Sequence, residues 1–404
     1  MIDESTEILI RAGWRKCGDI AVGTEVMTFN VKAERGEWQP VRSIKTSSRP
    51  SMVQVKSKKL NFCIDDEHSV IHKRSAYDEV DYRTEQSTRP RKYDLPRGVY
   101  PKDRKYSAQI RIDNKLHSLG TFDTPEEASA AYMKEARKLP ERNVDQWIDE
   151  PVSRVFSLSQ TTVPVSCSLG LPEYPLSDAM IALVGWAAAE GNFRKNGAIQ
   201  LYQGWSKQKR ITDLLDREGI KYGIMRRQME GRELRDPRTG KIYYTKEDET
   251  AIHIPIKEAR VLGDLIGEKE LQSNRSIPNW VFDLSDRQFD IFLYAIVAGD
   301  GHWLMKHHFA QYYTSSRRLA DMLQAMCVTH GWKAVVATKY LNQLVVGITK
   351  ATKTAIFKYS WSRINKPSKV WYLAVSNNSI MTRRNDKAVI LGTESWANEG
   401  RIAA

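Results

Sequence analysis

The chain has few cysteines, and they are scattered. None of the four belongs to a C-x-x-C pair, and they stand far apart in the sequence, at Cys17, Cys63, Cys167 and Cys327. A disulfide framework or a zinc site of the common kind needs paired cysteines. Neither is therefore expected, and the sequence predicts buried free thiols.

Long apolar runs are also absent. No stretch approaches the roughly 18 residues that a membrane-spanning helix needs. The first residues, Met-Ile-Asp-Glu-Ser, lack the basic and then apolar pattern of a signal peptide. The expectation is a cytoplasmic protein without a membrane partner.

Acidic residues are outnumbered by basic ones. The 404 residues include 62 Lys and Arg against 49 Asp and Glu, which gives a formal net charge of +13. This balance favours a polyanionic partner, although ribosomal and membrane-surface proteins share it. The length exceeds what one ordinary core accommodates, so two to four domains are expected.

The most informative feature that is present is a repeated motif. Residues 183–191 read LVGWAAAEG, and residues 293–301 read LYAIVAGDG. Each predicts an apolar helix whose third and seventh positions are small. Small residues on one helical face let two backbones approach closely, so the two helices are predicted to pack on each other. The small positions are Gly185, Ala189, Ala295 and Gly299.

Each motif ends in an acid followed by glycine. Glu190 and Asp300 fall at helix C-termini, where unpaired carbonyl groups attract cations. The glycines after them, Gly191 and Gly301, are expected to adopt the left-handed conformation that ends many helices. Helices packed side by side would bring the two acids together. Two carboxylates held that close predict a bound divalent metal ion.

The repeat extends beyond the motifs. In both halves a strand-like stretch leads to an amphipathic helix with a serine at its start and a glycine at its end, which predicts helices at 206–218 and 316–330. A charged insertion at 231–249 is predicted to be an exposed hairpin or loop. The duplication implies a pseudo-twofold domain over residues 176–365, with repeats at about 176–267 and 278–365.

The flanking regions have a different pattern. Short alternating segments separated by turns over residues 5–72 predict a small all-β module, and residues 366–404 are strand-like again. Residues 91–140 form a basic insert that ends in a predicted helix with Thr124 as its N-cap. Residues 141–175 are rich in Pro, Ser and Thr and are predicted to be a linker and a return to the β module.

The twin motifs resemble those of the LAGLIDADG homing endonucleases, over roughly residues 176–365. The resemblance implies that the two helices form the seam of a pseudo-dimer, and that each half presents a curved antiparallel sheet to the DNA major groove. It also implies that Glu190 and Asp300, with Gly191 and Gly301 beside them, bind Mg²⁺ or another divalent cation such as Mn²⁺. Both DNA strands would then be cut, leaving short 3′ overhangs.

The outer parts of the chain resemble the Hint fold of inteins. Residues 5–16 resemble its opening strand, residues 65–68 the block that holds the splicing histidine, and residues 371–393 its closing block. The resemblance assigns His68 to the splicing histidine, and Asp65 stands where threonine is usual.

Several positions depart from the intein pattern. Met1 stands at the place of the leading Cys or Ser nucleophile, and Glu394 stands where Cys, Ser or Thr is needed. Gly392 and Thr393 occupy the places of the penultimate His and the terminal Asn. Without the nucleophile there is no acyl shift, and without the asparagine there is no cyclisation. Splicing is therefore not expected, and His68 is predicted to be vestigial and to bond within the β module.

Residues 93–138 resemble the APETALA2-type DNA-binding domain of plants, which also occurs in phage and bacterial endonucleases. The resemblance is carried by residues 97–99, 106–110 and 119–128, with Tyr106 in place of the usual tryptophan. It implies three strands packed on one helix, with the strands reading the major groove. A set of basic residues is predicted to contact phosphates more than bases: Arg97, Arg104, Lys105, Arg111 and Lys115.

Other residues are candidates for DNA contact. Lys339 is the candidate for a basic catalytic residue near the scissile phosphate, with Arg226 or Arg227 as its counterpart in the first half. Amide and guanidinium groups pair with purine edges, which makes a set of strand residues candidate base readers, and solvated surface side chains are the alternative. The set is Gln200, Gln203, Gln311 and Arg226.

Three histidines follow the second motif, at His302, His307 and His308. They could suggest a zinc site, but no cysteine or carboxylate accompanies them. DNA contact or packing is the favoured interpretation.

The sequence therefore predicts an α+β protein in which a β-rich Hint module, a pseudo-twofold LAGLIDADG domain and a small three-strand-plus-helix insert are combined. The predicted function is a monomeric, splicing-inactive, site-specific endonuclease that cuts double-stranded DNA at a long asymmetric target. A catalytically silent DNA-binding protein and a still-active intein are the alternatives. The predicted segments are 1–90, 91–140, 141–175, 176–365 and 366–404.

Overall fold

A computed structural model describes residues 2–66, 68–74, 95–112, 115–138, 146–235, 240–267, 276–304, 308–340 and 343–393. This part of the chain contains helices and antiparallel sheets, and the α+β class predicted from the sequence is confirmed. Among its helices, none is both long and apolar enough to cross a membrane.

The described helices are α1 Pro125–Ala136, α2 Val152–Val155, α3 Asp178–Glu190, α4 Trp205–Arg217, α5 Ile256–Ile266, α6 Asp286–Asp300 and α7 Arg317–Thr329. The strands are β1 Ile2–Asp3, β2 Glu7–Ile10, β3 Gly13–Lys16, β4 Glu25–Asn30, β5 Arg35–Pro40, β6 Ser43–Arg49, β7 Met52–Lys56, β8 Asn61–Ile64, β9 Ser69–Arg74, β10 Val99–Lys102, β11 Lys105–Ile112, β12 Lys115–Phe122, β13 Ile148–Pro151, β14 Gln160–Pro164, β15 Gly191–Phe193, β16 Ile199–Gly204, β17 Gly223–Arg227, β18 Glu233–Arg235, β19 Ile242–Tyr244, β20 Glu249–Ile254, β21 Gly301–Leu304, β22 Phe309–Thr314, β23 Trp332–Tyr340, β24 Gln343–Lys350, β25 Lys353–Phe357, β26 Trp361–Ile364, β27 Ser368–Ala374, β28 Ser379–Arg384 and β29 Lys387–Gly392.

The two motif helices, α3 and α6, begin in the same way. Ser177 precedes α3, and its hydroxyl accepts a hydrogen bond from the Met180 amide at 3.0 Å. Ser285 precedes α6, and its hydroxyl accepts from the Gln288 amide at 3.2 Å. Each serine satisfies an amide that the first turn leaves without an intrahelical partner. The side chains of α3 from Ala179 to Ala189 are buried, as its all-apolar sequence requires.

Each repeat forms a small antiparallel sheet with the same strand order. In the first half the order is β15-β16-β20-β17, and in the second it is β21-β22-β24-β23. The registers also match, because Asn192 lies opposite Gln200 in one half and His302 lies opposite Gln311 in the other. The internal duplication inferred from the sequence is therefore present in the described fold.

The second half-sheet continues into the β module. Val335 of β23 pairs with Lys387 of β29, and the sheet proceeds through β28, β2, β4 and β5. Apolar residues of the module, including Leu9, Phe29 and Met381, share one core cluster with α3 and α6. The described residues within 1–72, 147–158 and 162–393 accordingly form one compact unit. The segment boundaries at 176 and 366 stay predictions.

The β module has its own core around two further sheets. Their strand orders are β26-β7-β8-β1-β27-β6 and β13-β9-β14-β25. Val152 and Val163 lie in this core, so the 148–164 stretch contains β13, α2 and β14 and is not a plain linker. Valines at these positions bury too much apolar surface to remain in a solvated connection.

The second compact unit spans residues 73–146 and 159–161, and its described part contains the three strands and one helix expected there. Strands β10, β11 and β12 form an antiparallel sheet, against which Ala128 and Tyr132 of α1 pack. Thr124 and Glu127 form a reciprocal capping box at the start of α1. Gly98 (φ +74°) faces the Tyr132 ring so closely that no side chain fits there.

One predicted helix start is wrong. Helix α4 begins at Trp205, with Gly204 as its N-cap, so Ser206 lies inside the helix. Its amide donates to the Glu247 carboxylate at 2.8 Å, and this acid comes from beyond the inserted β18–β19 hairpin. The Glu247 carboxylate, and not a serine hydroxyl, therefore accepts a hydrogen bond from the first turn of α4. In the second half Ser316 does cap α7, accepting from the Leu319 amide at 3.2 Å.

All four cysteines are buried and free, as predicted. Burial raises the pKa of the Cys17 thiol to about 12, and burial is also the largest cause of the same value at Cys63 and Cys167. Such thiols stay protonated at neutral pH and are poor nucleophiles.

Candidate functional site

The two motif helices meet through reciprocal small residues. A Cβ placed on Gly185 of α3 would lie 2.8 Å from the Cβ of Ala295 and 2.8 Å from the Phe292 carbonyl oxygen of α6. Farther along, a Cβ placed on Gly299 of α6 would lie 2.5 Å from the Cβ of Ala189 on α3. At the first contact the glycine is on α3 and the alanine on α6, and at the second contact the arrangement is reversed. No larger pair of side chains fits at either contact. The predicted helix seam is confirmed.

The seam places the two motif acids at neighbouring helix ends. A Cβ on Gly299 would lie 3.2 Å from Glu190 Cγ and 3.6 Å from Glu190 Oε1. The Glu190 side chain therefore runs alongside the residue that precedes Asp300. Both carboxylates stand where helix carbonyls lack partners, so negative potential accumulates at this spot.

The glycines after the acids do not adopt the predicted conformation. Gly191 (φ −67°, ψ 132°) and Gly301 (φ −148°, ψ −168°) are both extended, because strands β15 and β21 start there directly. The reason for glycine is space. A Cβ on Gly191 would clash with the Ala187 carbonyl oxygen. A Cβ on Gly301 would lie 2.5 Å from the Gln311 carbonyl oxygen. The chain thus turns from helix to strand without room for a side chain.

Gln203 is part of this acid site. It is 7% exposed, and its Nε2 donates to Glu190 Oε1 at 2.7 Å. Gln203 lies two residues after the buried Leu201, and residues two apart in a strand share a face. Its side chain therefore lies on the face of the first half-sheet that packs on the helices. Its amide is thus committed to holding Glu190, which argues against the predicted role as a reader of bases.

Lys207 is a site residue that the sequence did not reveal. It lies in the first turn of α4, and its Nζ donates to the Ala298 carbonyl oxygen at 2.9 Å. This places an ammonium group at the C-terminal end of α6, two residues before Asp300. In the sequence it is one of several lysines in the segment WSKQKR, and only the packing of α4 distinguishes it.

The donor set at the helix ends fits a hard divalent cation. Glu190 and Asp300 supply carboxylate oxygens, and the helix ends add carbonyl oxygens, which are the ligands that Mg²⁺ and Mn²⁺ prefer. Within the described ranges no three His, Cys, Asp or Glu side chains cluster closely enough to form a complete metal cage. Two protein carboxylates would leave positions for water and for phosphate oxygens.

The outer face of each half-sheet carries a glutamine bonded to a tyrosine two residues later. Tyr202 donates its hydroxyl hydrogen to Gln200 Oε1 at 2.6 Å, and Tyr313 donates to Gln311 Oε1 at 2.7 Å. Arg194 also donates to Gln200 Oε1, at 2.6 Å. Gln200 is 7% exposed beneath these groups, whereas Gln311 is half-buried.

Lys339 lies on the outer side of the second half-sheet. Its Nζ is 5.1 Å from the centre of the Tyr313 ring, and His302 stacks on the same ring at 5.8 Å. Its role near a scissile phosphate stays a prediction. His308 is exposed, and His307 lies outside the described residues.

The two candidate arginines of the first half are ion-paired. Arg226 Nε bonds Asp248 at 2.7 Å, and its guanidinium lies 4.6 Å from the Trp205 ring centre. The amides of Glu230 and Met229, followed by Arg226, lower the pKa of Asp248 below its usual value. Arg227 bonds Glu249 at 2.8 Å and stays half-exposed. Any DNA contact would have to compete with these pairs.

The basic residues of the insert are described in part. Arg104 is exposed at the β10–β11 turn, and Lys105 bonds Asp123 at 2.7 Å. Arg97 precedes β10 and is half-buried. Arg111 and Lys115 lie on β11 and β12, and their side chains are outside the description.

His68 lies in the interior of the β module. Burial is the main cause of a pKa well below the usual histidine value, and the backbone of Gly392 is a hydrogen-bonding partner. The imidazole is therefore neutral at physiological pH. The first and last intein-like positions, Met1 and Glu394, lie outside the described residues.

Comparison with known proteins gives weak structural neighbours. No family model matches the sequence, and no curated protein matches it. Among solved structures, the chain is similar to the homing endonuclease I-DmoI in complex with DNA and Mn (TM-score 0.28, 10% identity, 43% of this chain and 89% of that chain). It is also similar to full-length DUF199/WhiA from Thermatoga maritima (TM-score 0.28, 10% identity, 44% and 53%). A third neighbour is the AceL NrdHF class 3 split intein in a splice-inactive variant (TM-score 0.18, 12% identity, 30% and 95%).

Proposed function

We propose that the chain is a divalent-metal-dependent endonuclease that cuts both strands of a specific DNA site, with LAGLIDADG architecture joined to a Hint-like module that does not splice. The observation that carries the proposal is the α3–α6 seam, which sets Glu190 alongside Gly299, the residue before Asp300. Duplicated half-sheets beside one seam give a single chain two DNA-reading surfaces, which supports a monomer on a long asymmetric target.

The roles of the residues follow from their positions. Glu190 and Asp300 would hold Mg²⁺ or Mn²⁺, and the bound cation supplies an activated water and charge neutralisation at the leaving oxygen. Gln203 keeps the Glu190 carboxylate in place through its 2.7 Å hydrogen bond. The Lys207 ammonium offsets negative charge at the end of α6 and is placed to neutralise a phosphate oxygen there.

A cleavage assay tests the proposal. Supercoiled plasmids carrying a randomised insert library, or the DNA that flanks this reading frame, are incubated with the protein and Mg²⁺. We expect linear product from a few sequences, and none when the metal is chelated by EDTA. Specific binding without cleavage would favour the silent DNA-binding protein, and cleavage that persists in EDTA would exclude the metal site.

Lys207 provides a second test. Replacing it by Met should slow cleavage by about 10-fold or more, which corresponds to roughly 1.4 kcal/mol of lost transition-state stabilisation, while DNA affinity changes little. Single-turnover rates and separate binding measurements check this. The matched control is Lys209→Met on the same helix, because Lys209 is 81% exposed and bonds Asp213. An equal loss in both variants would show a general effect of charge and contradict the assigned role.

A further inference from the structure

The chain segment that ends β29 lies in the interior of the β module. Gly392 is the last residue of the strand, and Thr393 after it is 3% exposed. The Thr393 hydroxyl is buried and has no hydrogen-bond partner among the described residues. A buried hydroxyl normally bonds a carbonyl oxygen, as that of Thr382 does at Val389, because leaving it unbonded costs free energy. The Thr393 hydroxyl oxygen is therefore available for a reaction.

The backbone on both sides of this hydroxyl is held in place by the same module. The Ser69 hydroxyl donates to the Thr393 carbonyl oxygen at 3.2 Å, and the Thr393 amide donates to the Asn378 carbonyl oxygen at 2.8 Å. A Cβ placed on Gly392 would lie 2.9 Å from Asp149 Oδ1 and would collide with Ser69 Oγ, so only glycine fits there. The peptide bond between Gly392 and Thr393 therefore has a fixed orientation beneath Ser69 and Asp149.

His68 bonds the carbonyl group of the same peptide. Burial lowers the pKa of its imidazole, and a hydrogen bond to the Gly392 backbone acts in the opposite direction. A backbone group raises the pKa of a histidine only by accepting an imidazole proton, so the partner is the Gly392 carbonyl oxygen. The neutral imidazole thus donates an N–H to this oxygen. Such a donor, fixed in a buried site, stabilises the negative charge that develops on the oxygen when the carbonyl carbon is attacked.

We propose that the β module cuts its own chain between Gly392 and Thr393. The Thr393 hydroxyl oxygen bonds to the Gly392 carbonyl carbon, the peptide C–N bond breaks, and the hydroxyl proton goes to the Thr393 nitrogen, which gives an ester and a free amine. Water then hydrolyses the ester, which leaves a carboxyl group on Gly392 and restores the Thr393 hydroxyl. This reaction joins no segments and needs neither a leading nucleophile nor a terminal asparagine. It does not depend on the proposed DNA cleavage.

Mass spectrometry of the purified full chain tests the proposal. The protein is incubated at neutral pH with and without hydroxylamine, and intact masses are followed over time. We expect a growing species that ends at Gly392, together with the segment that begins at Thr393. At neutral pH hydroxylamine attacks esters far faster than peptide bonds. It should therefore speed the cleavage and leave a hydroxamate on Gly392, a product that a contaminating protease would not form.

Four variants assign the roles. Thr393→Val keeps the shape of the side chain without its hydroxyl and should abolish cleavage, whereas Thr393→Ser keeps a hydroxyl and should still be cut. His68→Gln should slow cleavage by about 10-fold or more through the weakened contact with the Gly392 carbonyl. Thr382→Val removes another buried threonine hydroxyl from the same sheet and should be cut at the wild-type rate. Melting temperatures of all four show whether the module stays folded.

Three results would overturn the proposal. The first is a wild-type chain that stays intact in hydroxylamine, and the second is cleavage of Thr393→Val at the wild-type rate. The third is a cut after Thr393, because attack by a threonine hydroxyl breaks only the peptide bond that precedes its own residue. If Thr393→Val does not fold, the Gly392 hydroxamate from wild type and the cleavage of Thr393→Ser decide the question.

Discussion

Replacing Asp300 by Asn should lower the rate of double-strand cleavage by at least about 100-fold. The substitution keeps the size of the side chain but removes one of the two carboxylates at the foot of the α3–α6 seam. A metal ion held there contributes several kcal/mol to the transition state, and about 1.4 kcal/mol corresponds to each factor of ten. The loss should appear in single-turnover rates at saturating Mg²⁺.

Stability and DNA binding should not follow this loss. Negative charge at the C-terminal end of a helix is unfavourable, and the Glu190 side chain lies alongside the preceding residue, Gly299, so neutralising Asp300 should leave the melting temperature unchanged or slightly raised. Asp264→Asn, an exposed acid on α5, is the matched control and should cut at the wild-type rate. Equal cleavage by Asp300→Asn and wild type would show that the acid is not part of the catalytic site.

The helix seam was predictable because its cause is local in sequence. Gly185 and Ala189 lie four residues apart, as do Ala295 and Gly299, and helical geometry alone puts each pair on one face. The identity of the partner helix followed from the duplication. The clash distances at Gly185 and Gly299 confirm both steps.

Features that depend on distant partners could not be predicted. Glu247 caps α4 from beyond a hairpin, and only the fold brings it to the Ser206 amide. The pairing of Val335 with Lys387, which joins the second half-sheet to the β module, is equally remote in sequence. N-cap preference favoured a serine cap in both halves, but in the first half the contact with Glu247 takes its place at the start of α4.

In the candidate site, too, the features that are local in sequence were predictable and those set by distant contacts were not. The acids Glu190 and Asp300 stood out because each follows a recognisable motif. Gln203 was predicted to read bases from its residue type, but it shares the strand face of Leu201, and its amide donates to Glu190. Lys207 gave no signal, since nothing in its neighbourhood separates it from the nearby lysines.

Replacing Gly299 by Ala should destabilise the protein by about 1–2 kcal/mol, although alanine favours helices by about 1 kcal/mol over glycine. The added methyl group would lie 2.5 Å from the Cβ of Ala189, a separation that forces the two backbones apart. Urea unfolding measures the change. Gly223→Ala is the control, because open space surrounds that position and it should cost much less.

The reciprocal swap separates stability from activity. Adding Ala189→Gly to Gly299→Ala removes the 2.5 Å contact and should recover about 1 kcal/mol or more of the lost stability, a coupling that independent sites would not show. The new methyl group still lies 3.2 Å from Glu190 Cγ, so the carboxylate remains displaced. Cleavage by the double variant should therefore stay several-fold below wild type while folding recovers. If neither stability nor cleavage recovers, the helices do not meet at Gly299 and Ala189. If both recover, the catalytic position of Glu190 tolerates the added methyl group.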